Sequence, residues 1–73
     1  MGFDYYNCPG KKSWPELVGA HAWEAKAVVE AENRHVYVRI VRLGQPLKPG
    51  FRCDRVRIVV DERDIVRQVP HVG

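Results

Sequence analysis

Two short runs in this chain alternate apolar with polar residues, and the stretch that joins them rules out the simplest connection. Val36, Val38 and Ile40 alternate with Tyr37, Arg39 and Val41, so residues 36–43 carry the period-two pattern of a half-buried strand. Residues 55–61 repeat it, with Val56, Ile58 and Val60 on one side and Arg55, Arg57 and Val59 on the other. The intervening residues 44–54 are too many for a tight hairpin and lack the Asn-Gly or Asp-Gly pair that such a turn prefers. They contain Pro46, Pro49 and Gly50. A long connection without its own secondary structure, inside a compact domain, is usually functional. Arg55 and Arg57 project from one face beside it, where they are placed to brace it.

The rest of the chain supplies a partner for these strands. Residues 20–33 are rich in Ala, Glu and Lys with no internal Gly or Pro, which predicts a helix. Ala22, Ala25, Val28 and Val29 form a narrow apolar stripe suited to lying on a sheet. His21 stands at the N-cap position and Asn33 at the C-terminal stop. Upstream, Trp14-Pro15-Glu16-Leu17-Val18-Gly19 reads as one short turn, with Pro15 at its first position and Gly19 ending it. Trp14 and Leu17 are expected to plug an edge of the core. Residues 61–64 form a polar turn, and residues 65–69 are expected to be a short last strand ended by Pro70. Residues 1–7 are expected to be a loose N-terminus of a single domain spanning 1–73.

A chain of 73 residues builds only a small core, so a covalent fastener is expected. Cys8 and Cys53 are the only cysteines, and their separation is unlike the close ligand pairs of a zinc site. Either they form a disulfide, which implies an oxidising compartment, or they are two buried thiols of a cytosolic protein. A bridge closing a loop of about 46 residues contributes about 4 kcal/mol on the chain-entropy estimate.

Composition narrows the function. One serine, no threonine and three scattered histidines provide no nucleophile–base arrangement, and there is no phosphate loop or metal-ligand pair. An enzyme is not expected, nor is a cofactor or a metal. Twelve basic residues are interleaved with nine acidic ones for a net charge of +3, without the block of a nucleic-acid arm or membrane anchor. No stretch is long and apolar enough to span a bilayer. The arginines of the strands are not interleaved with aromatics, so nucleic acid is not expected as a partner.

Cys8-Pro9-Gly10-Lys11, then Ser13-Trp14-Pro15-Glu16-Leu17-Val18-Gly19, an Ala-rich helix, Phe51-Arg52-Cys53-Asp54-Arg55-Val56 and the closing Val69-Pro70-His71-Val72-Gly73 resemble the potato inhibitor I family of serine protease inhibitors, in its disulfide-containing branch. The resemblance covers nearly all of the chain, from Cys8 to Gly73. It implies an α+β fold: a single helix packed on a small mixed β-sheet, with a long exposed reactive-site loop between two parallel strands. It pairs Cys8 with Cys53. It implies a secreted or vacuolar monomer, any signal lying outside these residues, that occludes a trypsin-, chymotrypsin- or subtilisin-like protease reversibly, as a substrate would.

The protease-binding loop implied by the resemblance comprises Gln45, Pro46, Leu47, Lys48, Pro49, Gly50, Phe51 and Arg52. Anchored on Phe51-Arg52-Cys53, the reactive bond falls between Pro49 and Gly50. Arg55 and Arg57 match the bracing arginines, and Gly73 supplies the terminal carboxylate that helps to fix them. The tip departs from the family. Lys48 replaces a threonine and Gly50 an acidic residue, so both side-chain acceptors for the bracing arginines are gone. Pro49 has no N–H to donate to a protease, and its φ is locked. These departures leave three expectations: inhibition with Pro49 in the specificity pocket of a proline-accepting protease; a shifted register led by Lys48 or by Leu47; or a scaffold that has lost inhibition and serves as a basic binding module.

Overall fold

The computed structural model describes residues 7–73. The expected loose N-terminus lies outside the described residues except for Asn7, which is exposed. A 3-10 turn, Pro15–Leu17, leads into the helix α1, Ala22–Glu32. Strands β1, Tyr37–Arg42, β2, Arg55–Val60, and β3, His71–Val72, complete the elements.

The sheet order is β1-β2-β3, with β1 and β2 parallel and β2 and β3 antiparallel. Parallel strands cannot be joined by a tight turn. The connection 43–54 must therefore travel back along the sheet, and this is what throws the loop outward. Its register pairs Tyr37 with Arg55, Arg39 with Arg57 and Val41 with Val59. The two alternating patterns consequently coincide. Val38 and Ile40 lie beside the buried Val56, Ile58 and Val60 on the core face, while Arg39, Arg55 and Arg57 share the other face.

The helix covers the core face. Ala22, Ala25 and Val29 are buried on it, with Val28 partly buried at its edge, and small alanines let the helix approach the sheet. Trp14, Leu17, Val36, Val66 and Val72 close the same cluster. Burying a side chain such as Ile58 or Val56 contributes about 1.5–3 kcal/mol each. Trp14 is wholly buried, and its Nε1–H donates to Glu32 Oε1 at 2.9 Å, so its polar edge is satisfied. Lys11 Nζ lies between Glu16 at 2.5 Å and Glu32 at 3.0 Å and stands 5.6 Å above the Trp14 ring.

The helix is bounded at both ends by the residues its sequence suggests. His21 caps it, its Nδ1 accepting from Trp23 N at 3.3 Å. Asn33 does stop it, but with φ −140° it is extended rather than left-handed. Its side chain has a further use: Nδ2 donates to Pro9 O at 3.0 Å and Lys11 O at 2.9 Å, and Oδ1 accepts from His35 N at 2.8 Å. Asn33 is thus buried, and it ties the N-terminal segment to the end of the helix.

The expected strand over 65–69 is not formed. Ile65 and Val66 make single bridges, to His21 and Val60, and the last strand lies beyond Pro70, where His71 and Val72 pair with Arg57 and Val56. The cause is the preceding turn. Asp61 Oδ1 accepts from Arg63 N at 2.8 Å and Ile65 N at 3.1 Å, and Asp64 sits at φ 63°. This turn sends Val66 back to Ala20 and Gly19, with hydrogen bonds of 2.9 Å and 2.8 Å. Pro70 then accepts from Trp14 N at 2.9 Å, so it precedes the final ladder and does not end it.

Candidate functional site

The loop leaves β1 through a turn that its own first residue closes. Gln45 N donates to Arg42 O at 3.0 Å, and Gln45 Oε1 accepts from Arg42 N at 3.1 Å. Residues 45–50, including Pro46 and Leu47, are all exposed. Gly50 has φ 106°, a conformation that favours glycine, and a side chain there would meet open space. Phe51 turns inward and packs against the core, as does Cys53. The structure joins Cys53 to Cys8 in a disulfide with a Cα–Cα distance of 5.1 Å, which anchors the loop's exit to the N-terminal segment.

Two arginines reach the loop from the sheet. Arg55 and Arg57 are alternate residues of β2, so their side chains rise from the same face beneath the tip. Arg57 Nη2 donates to the main-chain oxygen of Lys48 at 2.6 Å. Arg55 Nη2 donates to Gly50 O, and its Nε to Gly73 O at 2.7 Å. At Lys48 and Gly50 the acceptors are main-chain carbonyls where the resemblance implies side chains. The residues either side of Pro49 are therefore held, and among the described residues the Pro49 carbonyl has no donor.

Gly73 connects the loop's far end to β2. Its N–H donates to Arg55 O at 2.9 Å, while its oxygen also accepts from Arg52 N at 3.3 Å. Arg52 turns away from the tip to form a two-pronged pair with Asp54, at 2.8 Å and 2.9 Å. This pair holds the Asp54 carboxyl below the usual carboxylate range and raises the Arg52 guanidinium, the shared hydrogen bonds being the main cause in each. Asp54 O accepts from Tyr37 N at 2.7 Å. Asp54 was not singled out as a site residue by sequence reasoning. The signal was its spacing, since residues two apart in an extended chain share a face.

The electrostatics beneath the tip are one-sided. Desolvation lowers the Arg55 pKa first, and the positive charges of Arg57, Arg52 and Arg39 add to it. At the tip the brace works against mutual repulsion, holding main-chain carbonyls where no side-chain carboxylate stands, while Arg55 Nε also donates to the Gly73 oxygen. Among the described residues no group of His, Cys, Asp and Glu forms a candidate metal site, and no helix is long and apolar enough to cross a membrane.

Comparison with known proteins gives this geometry a context. A family model described as the Potato inhibitor I family matches residues 7–73. The chain is 54% identical over 66 residues to the Glu S.griseus protease inhibitor of Momordica charantia, covering 90% of this chain and 97% of that one. It is 46% identical over 67 residues to the inhibitor of trypsin and hageman factor of Cucurbita maxima, covering 92% and 98%. The crystal structure of bitter gourd trypsin inhibitor superposes with a TM-score of 0.89 at 50% identity, covering 90% of this chain and 97% of that one. A match across every described residue, joined to the same fold at half identity, leaves one assignment: the chain belongs to the potato inhibitor I family.

Proposed function

We propose that this protein is a serine protease inhibitor that occludes the active site of its target with the loop 45–52, with the Pro49–Gly50 bond at the position of the scissile bond. It is not an enzyme; its chemistry is that of a rigid, poorly hydrolysed substrate. One observation carries the reading. The carbonyls of Lys48 and Gly50 are held by Arg57 and Arg55, while that of Pro49 is left without an internal donor. Gripping both neighbours fixes the backbone on either side of Pro49 and leaves its carbonyl open to the donors of an oxyanion hole.

The same grip argues against a register led by Lys48, since the carbonyl to be attacked there already accepts from Arg57. Rigidity is the source of both affinity and resistance. A loop ordered before binding loses little entropy on docking. After cleavage, Cys53, Phe51 and Arg55 retain the new amino end close to the carboxyl end held by Arg57, which favours religation. The disulfide supports an oxidising compartment, secreted or vacuolar. A monomer suffices for this mechanism.

Titration of trypsin, chymotrypsin, subtilisin and elastase tests the function. Saturable inhibition of at least one is expected, with slow cleavage between Pro49 and Gly50 seen by mass spectrometry. Absence of inhibition of all four at micromolar protein overturns the reading. Cleavage after Lys48 overturns the register alone.

A further inference from the structure

The loop and the outer face of β1 and β2 enclose a concavity of about 830 Å³, within the range of small-molecule sites. Five cationic side chains belong to its lining, those of Arg39, Lys48, Arg52, Arg55 and Arg57, against the single carboxylate of Asp54. That carboxylate is already taken by Arg52. Arg39 is the Cα partner of Arg57 across the parallel pair, so the two guanidinium groups rise side by side. Neither Arg39 nor the Lys48 ammonium has a hydrogen bond or ion pair among the described residues.

We propose that this concavity is an anion site, taking a multivalent phosphate- or sulfate-type oxyanion between Arg39, Arg57 and Lys48. Donor capacity supports it. A guanidinium carries five N–H groups in a planar fork that matches such oxyanions. Arg55 uses two of its donors and Arg57 one, so an anion binds the remainder without releasing Gly50 or Lys48. The repulsion of Arg57, Arg52 and Arg39, which adds to desolvation in disfavouring the charged Arg55, is relieved at the same time. The anion thus takes the electrostatic place of the acidic side chain that Gly50 lacks, and it tightens the brace. Binding stands independently of the inhibitor reading; the effect on inhibition rests on it.

The test is a nitrogen–proton NMR titration of the whole protein with inorganic pyrophosphate, against sodium chloride at matched ionic strength. Saturable shifts at Arg39, Lys48, Arg55 and Arg57 are expected with pyrophosphate only. Arg39→Gln, which breaks no hydrogen bond or ion pair among the described residues, weakens binding about tenfold, in the range of one lost charge-assisted hydrogen bond. Arg34→Gln, outside the concavity, leaves it unchanged. Equal, unsaturated shifts in the two salts, or binding insensitive to Arg39→Gln, overturn the site. With a protease that the protein inhibits, pyrophosphate lowers the inhibition constant; saturable binding with an unchanged constant overturns the coupling. If no protease is inhibited, the titration still decides the site.

Discussion

Arg57 offers a perturbation whose effect on the loop separates from its effect on the fold. Its one side-chain hydrogen bond among the described residues runs from Nη2 to Lys48 O at 2.6 Å, and Lys48 is exposed. Replacement by methionine keeps an apolar stem on β2 and removes only the charged donor. A hydrogen bond from a charged group contributes about 1.5–3 kcal/mol net, and water can take over at an exposed carbonyl, which favours the lower half of that range. About 1.5–2 kcal/mol of loop order is then lost, and inhibition weakens about 10- to 30-fold. The global fold changes less. Arg57 is one of the charges that disfavour the ionised Arg55, so its removal offsets part of any loss in packing. The Arg57→Met midpoint temperature is expected within about 4 °C of the parent, less than a 1 kcal/mol change gives in a domain of this size. The assays are an inhibition constant against the most sensitive protease of the four and a thermal denaturation curve. An inhibition constant unchanged within about twofold would refute the brace. A weakened constant accompanied by a large fall in midpoint would show that Arg57 acts through the fold.

Gly50→Ala, at φ 106° in open space, is expected to cost about 1 kcal/mol of loop order and to weaken inhibition about fivefold with little change in midpoint. Paired inhibition and melting curves check it. Reduction of the Cys8–Cys53 bridge removes about 4 kcal/mol on the chain-entropy estimate, to be read from urea unfolding with and without reductant. Asn33→Ala strands the carbonyls of Pro9 and Lys11 and the N–H of His35, and a loss of about 2–4 kcal/mol is expected in the same unfolding assay. Asp54 and Asp61 both have folded pKa values below their unfolded ones, so their contributions are complete above the unfolded value and disappear as pH falls through the folded one. Stability should accordingly begin to decline below about pH 4, and an Asp61→Asn variant should show a shallower decline.

Much of the frame was legible because the local and long-range demands agreed. In residues 22–32, composition, caps and apolar stripe all specified one helix, and the structure has it. The alternation in 37–42 and 55–60 likewise identified both the strands and their buried faces. Parallel pairing was carried by the resemblance, since alternation alone does not tell a parallel from an antiparallel neighbour. The segment 65–69 misled because its apolar residues look strand-like, whereas the Asp61 turn decides where their backbone can pair. At the tip, the spacing of Arg55 and Arg57 located the donors but not their acceptors. A carbonyl carries no mark in a sequence, so the loss of two side-chain acceptors looked like the loss of the brace.

That main-chain grip has a consequence for how such a loop can change. A brace that reads side chains constrains which residues may stand beside the reactive bond. Arg55 and Arg57 hold groups that every amino acid possesses, and residues 46–50 bury none of their side chains in the core. Outside Gly50, whose positive φ favours glycine, mounting and recognition are therefore uncoupled: the scaffold acts as a socket, and new target preferences can be written into residues 46–49 one at a time without dismantling what holds them.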